Sequence, residues 1–440
     1  MLVGWLLIEI VLVVFSVGMI WPRLAIRVPR RLRFGRWKRP AQLRSPRKAV
    51  IEAAIGLVLI GLVLTDWSGL RLGWQGTGVA TRTSGKMVAG RTKLIDAIFT
   101  PPIRSGEQIG IVVGVIDHGV TWTRGYGRSK AGSSRPPDGD CVFEIGSITK
   151  TFTCTALAAM CVAGKMDLQD PMTSYFPDGV RIPTHKGKQI RLVDLATHTS
   201  GLPRIPDNMG LASDLSGDPY AQYAPEDSYE CLKEYMLTRA PGARYEYSNF
   251  GMGLLGLALS RRSDKSYEQT VTQLVCVPLG MRDTSVTLSH EQKARLVQGY
   301  ALQKKVGRLM IAVPSENWTF QDSFAGAGAL RSSANDMLKY LRANIDAGAT
   351  GVGPALAMTH VARHRIDDSM SIGLGWHTLN VPWSKEPIIW HNGGTGGYRS
   401  FVGFCPKRKL GVVVLGNTSE DVDLLALRAL KSILSDRRAR

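Results

Sequence analysis

Two long apolar runs open this 440-residue chain, and everything after them alternates short β-branched runs with helix-period segments. The first run, Leu2 to Trp21, is about twenty residues, enough to cross a ~30 Å hydrocarbon layer at a helical rise of 1.5 Å per residue. Glu9 interrupts it. No Lys or Arg precedes the run and no small-residue cleavage site follows, which sets it apart from a secretory signal peptide. The second run, Ala49 to Leu64, is shorter, carries Glu52 near its start, and ends at Asp66 and Trp67, an aromatic suited to a membrane interface. The pattern predicts two spans, within an anchor covering residues 1–66.

Residues 68–106 are rich in Gly, Ser, Thr and Arg and read as a linker leading into a short helix around Lys93 to Phe99, with the linker proper at 67–94. Ile109 to Ile116 and Val120 to Tyr126 read as strands joined by a turn at Asp117-His118-Gly119. The apolar stretch Phe152 to Val162 reads as a buried helix. Residues 165–320 are punctuated by Pro and Gly, with helical patterns at 191–197, 226–239, 250–263 and 265–277, and a further helix at 333–347. The chain closes with strand-like runs at 371–379, 387–391, 398–404 and 410–416, then a helix at 420–435. Strands at both ends with helices between predict one sheet assembled from the two ends of the domain around a helical insert.

Charge changes the picture at the N-terminus. The chain carries a net charge of +19, and residues 23–48 hold eleven Lys or Arg and no acid. A basic run of this kind can bind nucleic acid. Lying between two apolar runs, it is better read as a cytoplasmic loop at 22–48 under the positive-inside rule. Nucleic acid is therefore not an expected partner. Membrane lipid is, with everything after residue 67 on the periplasmic or extracellular side. The six cysteines, Cys141, Cys154, Cys161, Cys231, Cys276 and Cys405, follow no zinc or thioredoxin spacing and sit mostly beside apolar residues, as buried thiols do.

Chemistry concentrates at Ser147-Ile148-Thr149-Lys150, just before the buried helix. Residues three apart face the same side of a helix, so Lys150 stands one turn from Ser147. A serine hydroxyl attacks only once a base takes its proton, and a lysine serves as that base if desolvation or a second cation keeps it neutral. Backbone N–H groups at the helix start can face an oxyanion. Arg244 to Gly251 precedes a second apolar helix. There Tyr247 offers a phenol that can shuttle protons if a neighbouring ammonium lowers its pKa, Asn249 an amide for a carbonyl, and Ser248 or Asn249 a helix cap. His198 to Pro203 reads as a structural turn beside the site. His391-Asn392-Gly393-Gly394 follows a strand, where glycines let backbone N–H groups approach a ligand. A phosphate loop is disfavoured there, since no G-K-[ST] ending follows.

Ser147 to Lys150, Tyr247 to Asn249 and His391 to Gly393, in that order, resemble the three motifs of the class C β-lactamase-like serine hydrolases, which include D-stereospecific peptidases and esterases. Phe143-Glu144-Ile145-Gly146, Leu168-Gln169-Asp170-Pro171, Pro278-Leu279-Gly280-Met281 and Val413 to Asn417 are similar as well. The likeness spans roughly residues 95–435. It implies an α/β (α+β) sandwich at 95–440: an antiparallel sheet flanked by helices, with an all-helical subdomain at about 165–325. It implies Ser147 as acylated nucleophile, and Lys150 and Tyr247 sharing the proton transfers. Asn249, His391 and Gly393 would contact substrate, and the N–H groups of Ser147 and Gly394 would form the oxyanion hole. No metal or organic cofactor is implied. His391 stands where the lactamases carry a lysine, which favours the peptidase and esterase branches. The expected partner is a small molecule or peptide, including D-amino-acid-containing peptides. A β-lactamase, an acyl-transferring enzyme and a non-catalytic membrane-bound sensor are the alternative readings.

Overall fold

The structure, a computed structural model, describes residues 81–85, 90–209, 218–306 and 309–436. The two apolar runs, the basic loop and most of the expected linker lie outside these residues. Among the described residues no helix is long and apolar enough to cross a membrane.

Thirteen strands are described: β1 Thr81–Gly85, β2 Gly110–Asp117, β3 Val120–Gly127, β4 Val142–Glu144, β5 Tyr300–Val306, β6 Leu309–Pro314, β7 Arg331–Ser333, β8 His364–Arg365, β9 Met370–Ile372, β10 His377–Leu379, β11 Ile388–Gly394, β12 Arg399–Cys405 and β13 Leu410–Gly416. Nine of them form one antiparallel sheet in the order β1-β3-β2-β13-β12-β11-β10-β9-β8. The expected union of the two ends occurs between β2 and β13, where Asp117 faces Leu410 and Ile111 faces Gly416. The β2–β3 turn has His118 and Gly119 at φ 49° and 84°. Two positive φ values in a two-residue loop are what a type I′ hairpin requires.

Six helices position the site: α1 Arg91–Ser105, α2 Thr149–Val162, α3 Asn249–Ser263, α4 Asp322–Gly328, α5 Ala334–Ile345 and α6 Asp423–Ser435. Side chains on a strand alternate between faces, and the core divides accordingly. Ile111, Val113 and Val115 of β2 and Val412 and Val414 of β13 pack with Ile95 and Phe99 of α1 and Ala426 and Leu430 of α6. Val112 and Ile116, with Val413 and Leu415, face the opposite layer, which contains α2, α3, α4 and α5. Central strands covered on both faces read as continuous apolar runs, and these do.

Helix α2 is the axis of the helical layer, with eleven residues buried, among them four threonines. Their hydroxyls are satisfied inside the core. Thr153 Oγ1 donates to Thr149 O at 3.2 Å and lies 2.8 Å from Tyr267 OH, and Thr155 Oγ1 donates to Thr151 O at 2.8 Å. Buried hydroxyls remain inexpensive only when bonded in this way.

Several expected boundaries differ. The run at 371–379 is two strands, β9 and β10, folded back on each other through Gly373 to Trp376, with Gly373 N–H donating to Trp376 O at 2.8 Å. The helix expected at 226–239 ends at Glu234, because Tyr235 is extended (φ −72°, ψ 133°). Within the expected linker, Thr81–Gly85 extends the sheet by pairing with β3. The helical region also carries the β5–β6 hairpin, which the pattern did not announce. All six cysteines are free thiols, four of them buried.

Candidate active site

Ser147 lies on a tight turn, Gly146–Ile148, that feeds directly into α2. Glu144 and Ile145 bring the chain there along β4. Glu144 is buried and paired with Arg331 of β7 at 3.2 Å, and Ile145 O accepts from Ser400 Oγ of β12 at 2.8 Å. Gly146 has φ 48°, and a Cβ on it would stand 2.6 Å from Gly394 N. That close approach brings the serine turn against the end of β11, and only glycine permits it.

Lys150, one turn on, is fully buried. Its Nζ is 2.9 Å from Ser147 Oγ and donates to Ala327 O, at the end of α4, at 2.7 Å. Burial holds its pKa well below the ordinary lysine value, and the positive charge of Arg204 adds to the effect. A neutral amine within hydrogen-bond reach of a serine hydroxyl can accept that hydroxyl's proton.

Tyr247 is brought in by the segment before α3. Lys150 Nζ lies 4.9 Å from its ring centroid, and the Arg204 guanidinium carbon is also 4.9 Å away. Burial pushes the phenol pKa up, the reverse of the shift expected from an adjacent ammonium. Away from water the charged phenolate is disfavoured, and the positive charge of Arg204 offsets this only in part. Tyr247 thus keeps its proton and can donate it. Ser248 caps α3 by accepting from Gly251 N–H at 2.8 Å. Asn249 Nδ2 donates to Tyr220 OH at 3.0 Å, while its buried Oδ1 has no hydrogen-bond partner among the described residues.

His198, in the turn beside the site, supports this segment. Ser248 N–H donates to its Nδ1 at 3.1 Å, and its ring centroid is 4.4 Å from that of Tyr247. Burial holds the imidazole well below its usual pKa. His198 is therefore a neutral wedge that orients Tyr247 by contact.

His391 lies on β11, opposite Val402 of β12, almost fully buried. Its Nδ1 sits 2.6 Å from Asn392 O. A carbonyl only accepts, so Nδ1 carries the hydrogen and Nε2 is a lone pair. Burial lowers its pKa strongly, and His377, 5.3 Å away between ring centroids, lowers it further. His377 Nε2 in turn is 3.0 Å from Tyr245 OH. Gly393 faces the serine turn, where a Cβ would come within 2.0 Å of Ile145 O, and Gly394 N is the atom nearest Gly146. All seven residues singled out from the sequence thus lie in or against one region around Ser147. Arg204, Tyr220, Tyr245 and His377 were not singled out. Two had a nearby signal: Arg204 follows the His198 to Pro203 turn, and Tyr245 lies within the Arg244 to Gly251 segment. Among the described residues no group of three or more His, Cys, Asp or Glu side chains converges as a metal site would require.

A serine turn leading into a central buried helix, with a buried lysine in contact with the serine and an antiparallel sheet beneath, is the arrangement of a serine hydrolase. The Beta-lactamase family model matches residues 95–434, and the chain belongs to that family. It is 30% identical over 318 residues to the D-alanyl-D-alanine-carboxypeptidase/endopeptidase AmpH of Escherichia coli (strain K12), covering 70% of this chain and 78% of that protein. It is 26% identical over 356 residues to a Beta-lactamase of Pseudomonas fluorescens, covering 74% and 93%. The fold is shared with a Beta-lactamase/D-alanine Carboxypeptidase from Yersinia pestis, at TM-score 0.65 and 24% identity, over 78% of this chain and 96% of that one. An octameric penicillin-binding protein homologue from Pyrococcus abyssi matches at TM-score 0.68 and 24% identity, over 78% of each chain.

Proposed function

We propose that this chain is a membrane-anchored hydrolase that cleaves an amide or ester through an acyl-Ser147 intermediate, in the manner of a D-peptidase. The observation that carries the reading is the 2.9 Å contact between Ser147 Oγ and a fully buried Lys150 Nζ. Ser147 Oγ attacks the carbonyl carbon as its proton passes to the neutral Lys150. The negative charge on the carbonyl oxygen is met by the N–H groups of Ser147 and Gly394. The C–N or C–O bond then breaks, the leaving group takes a proton from Tyr247, and Lys150 returns one to Tyr247. Water, deprotonated by the same pair, attacks the acyl carbon and frees Ser147. Asn249 holds the substrate amide through its unpartnered Oδ1. A neutral His391 and the likeness to a D-alanyl-D-alanine carboxypeptidase favour a peptide over a β-lactam as substrate.

The test is turnover and labelling of the full chain. A fluorophosphonate should add at Ser147, located by mass spectrometry. An N-acylated peptide ending in D-Ala-D-Ala should release D-alanine, and the L-Ala-L-Ala counterpart should not. An adduct on a different serine, or no turnover of peptides, short esters or a chromogenic cephalosporin, would falsify the reading. Added amines that intercept the acyl-enzyme would extend it to transacylation.

The anchor is proposed from the lengths of the two apolar runs and the basic residues between them. It places the hydrolase domain outside the cytoplasm. The full chain should stay in the membrane pellet after alkaline carbonate washing. Recovery in the supernatant would remove the anchor from the proposal.

A further inference from the structure

The end of β11 presents its residues on two faces. His391 and Gly393 lie on the side of Tyr247 and the serine turn. Asn392, between them, lies on the opposite side with Phe401 of β12, toward α6. There its Nδ2 donates to Asp423 Oδ2 at 2.6 Å. Asp423 is the first residue of α6, and its own N–H donates to Asp421 Oδ1 at 2.6 Å. The Asn392 carbonyl is held as well, by His391 Nδ1 at 2.6 Å. One residue thus connects the start of α6 to both groups that β11 brings toward Ser147: the imidazole before it and the Gly393-Gly394 backbone after it.

Asn392 is the last residue of β11 with a side chain, since Gly393 and Gly394 complete the strand. Arg399, opposite Gly394, uses its Nη1 on Thr395 O and Tyr398 O, at 2.8 and 2.9 Å. The grip on the strand end from the α6 side therefore runs through Asn392 to Asp423. A carboxyl group is a costly choice there. Asp423 is half-buried, and its pKa is pushed up to about 7, by burial first and by the Asp421 charge next. The Asn392 hydrogen bond and Arg399 pull the other way. The charged groups facing it are thus Asp421, from the loop before α6, and Arg399, from β12, while β11 presents Asn392. A neutral amide of the same shape would hold Asn392 without that cost. What a carboxylate adds is strength, because a hydrogen bond to an ionised acceptor is about twice as strong as a neutral one.

We infer that Asp423 is a positioning residue of this site: acting through Asn392, its carboxylate seats the end of β11, and with it the Gly394 N–H and the His391 imidazole, against the group that reacts at Ser147. The inference rests on the reading of Ser147 as nucleophile. It makes the site responsive to pH through a side chain that touches no substrate. When Asp423 takes up a proton, Asn392 loses an ionised acceptor and the strand end is held less firmly. Acylation then slows as pH falls through about 7.

The test is the rate at which a fluorophosphonate labels Ser147 in the full chain, followed from pH 5.5 to 8.5. In that step the Oγ–P bond forms, the P–F bond breaks, fluoride leaves and the hydroxyl proton passes to Lys150. Dividing the native rate by the D423N rate cancels every titration the two proteins share. The quotient should lie near one at pH 5.5, where Asp423 is protonated. It should rise to about tenfold at pH 8.5, the difference between a charged and a neutral acceptor. D423A, with no acceptor at all, should be slower than native by about ten- to a hundred-fold at pH 8.5. Stability separates positioning from mere support. Because the folded pKa is raised, the folded chain binds more protons than the unfolded one between 3.8 and about 7, so Asp423 lowers stability as pH rises through that window. D423N should therefore melt at a higher temperature than the native protein at pH 8.5 while reacting more slowly. A quotient that stays near one, or that does not change with pH, overturns the inference and leaves the nucleophile in place. So does a D423N protein that melts below the native one at pH 8.5, which would make Asp423 a structural contact. If D423A does not fold, the D423N quotient decides. Failure of the native protein to label at Ser147 removes the nucleophile, and this inference with it.

Discussion

Replacing Lys150 by methionine is expected to lower kcat/KM by about 10²- to 10⁴-fold, the usual contribution of a positioned general base. Methionine fills a similar volume, so α2 should stay packed and the loss be chemical. Without the amine, Ser147 loses its 2.9 Å partner and Ala327 O loses its donor. A second signature separates this role from a structural one. Lys150 has a folded pKa well below its ordinary 10.5, so the unfolded chain binds the extra proton. Where the unfolded state binds more protons, stability rises with pH. Lys150 therefore contributes a rising slope between its lowered folded value and 10.5, approaching about 1.4 kcal/mol per pH unit. The buried histidines His198 and His391 give a slope of the same sign, but theirs ends near 6.5. Denaturant unfolding of K150M from pH 7 to 10 should be flatter than that of the native protein. An equal slope, or activity within tenfold of native, would count against a neutral buried amine.

The second large effect belongs to Gly393. An alanine Cβ there would lie 2.0 Å from Ile145 O and 2.5 Å from Ser400 Oγ. Both atoms belong to the hydrogen bond that holds the residues before Ser147 against the sheet. Neither can yield without moving the serine turn away from β11. Overpacking of this kind costs about 1–3 kcal/mol. A displacement near 1 Å at a reacting group costs about 10²-fold in rate. G394A is the contrast. The three atoms nearest its Cβ all belong to the Arg399 side chain, Nη1 closest at 2.7 Å, and a flexible side chain can turn aside. We expect G393A to lose both thermal stability and kcat/KM, and G394A to lose less of each. Native-like behaviour of G393A in both measurements would show that β11 and the serine turn are not in the contact described.

The long elements were legible because their periodicity is uninterrupted. β2, β13, α2 and α3 appear close to where their apolar patterns place them, and so does the sheet built from both ends of the domain. The site residues were legible for a different reason: three short motifs each carry side chains with few other uses in that combination. What failed to show was whatever depends on contact across the fold. Arg204 is an ordinary loop arginine until its carbonyl is seen bonded to the start of α3. The neutral form of His391 follows from its burial and from His377, which arrives on a neighbouring strand. The direction of the Tyr247 shift reversed because burial of the phenol outweighs the neighbouring positive charge, and burial is a property of the fold. The β9–β10 fold-back was hidden because both strands and the turn between them share one apolar-looking run.

The join between β2 and β13 has a temporal consequence. It brings together residues such as Ile111 and Gly416, so the sheet cannot close until nearly all of the domain has left the ribosome. Contacts that bridge so much chain are slow to form. Gly394 reaches the serine turn only through a strand held in the sheet by β12 and β13. A nascent chain that already contains Ser147 and Lys150 consequently still lacks the strand that packs against the serine turn, and the site is completed late.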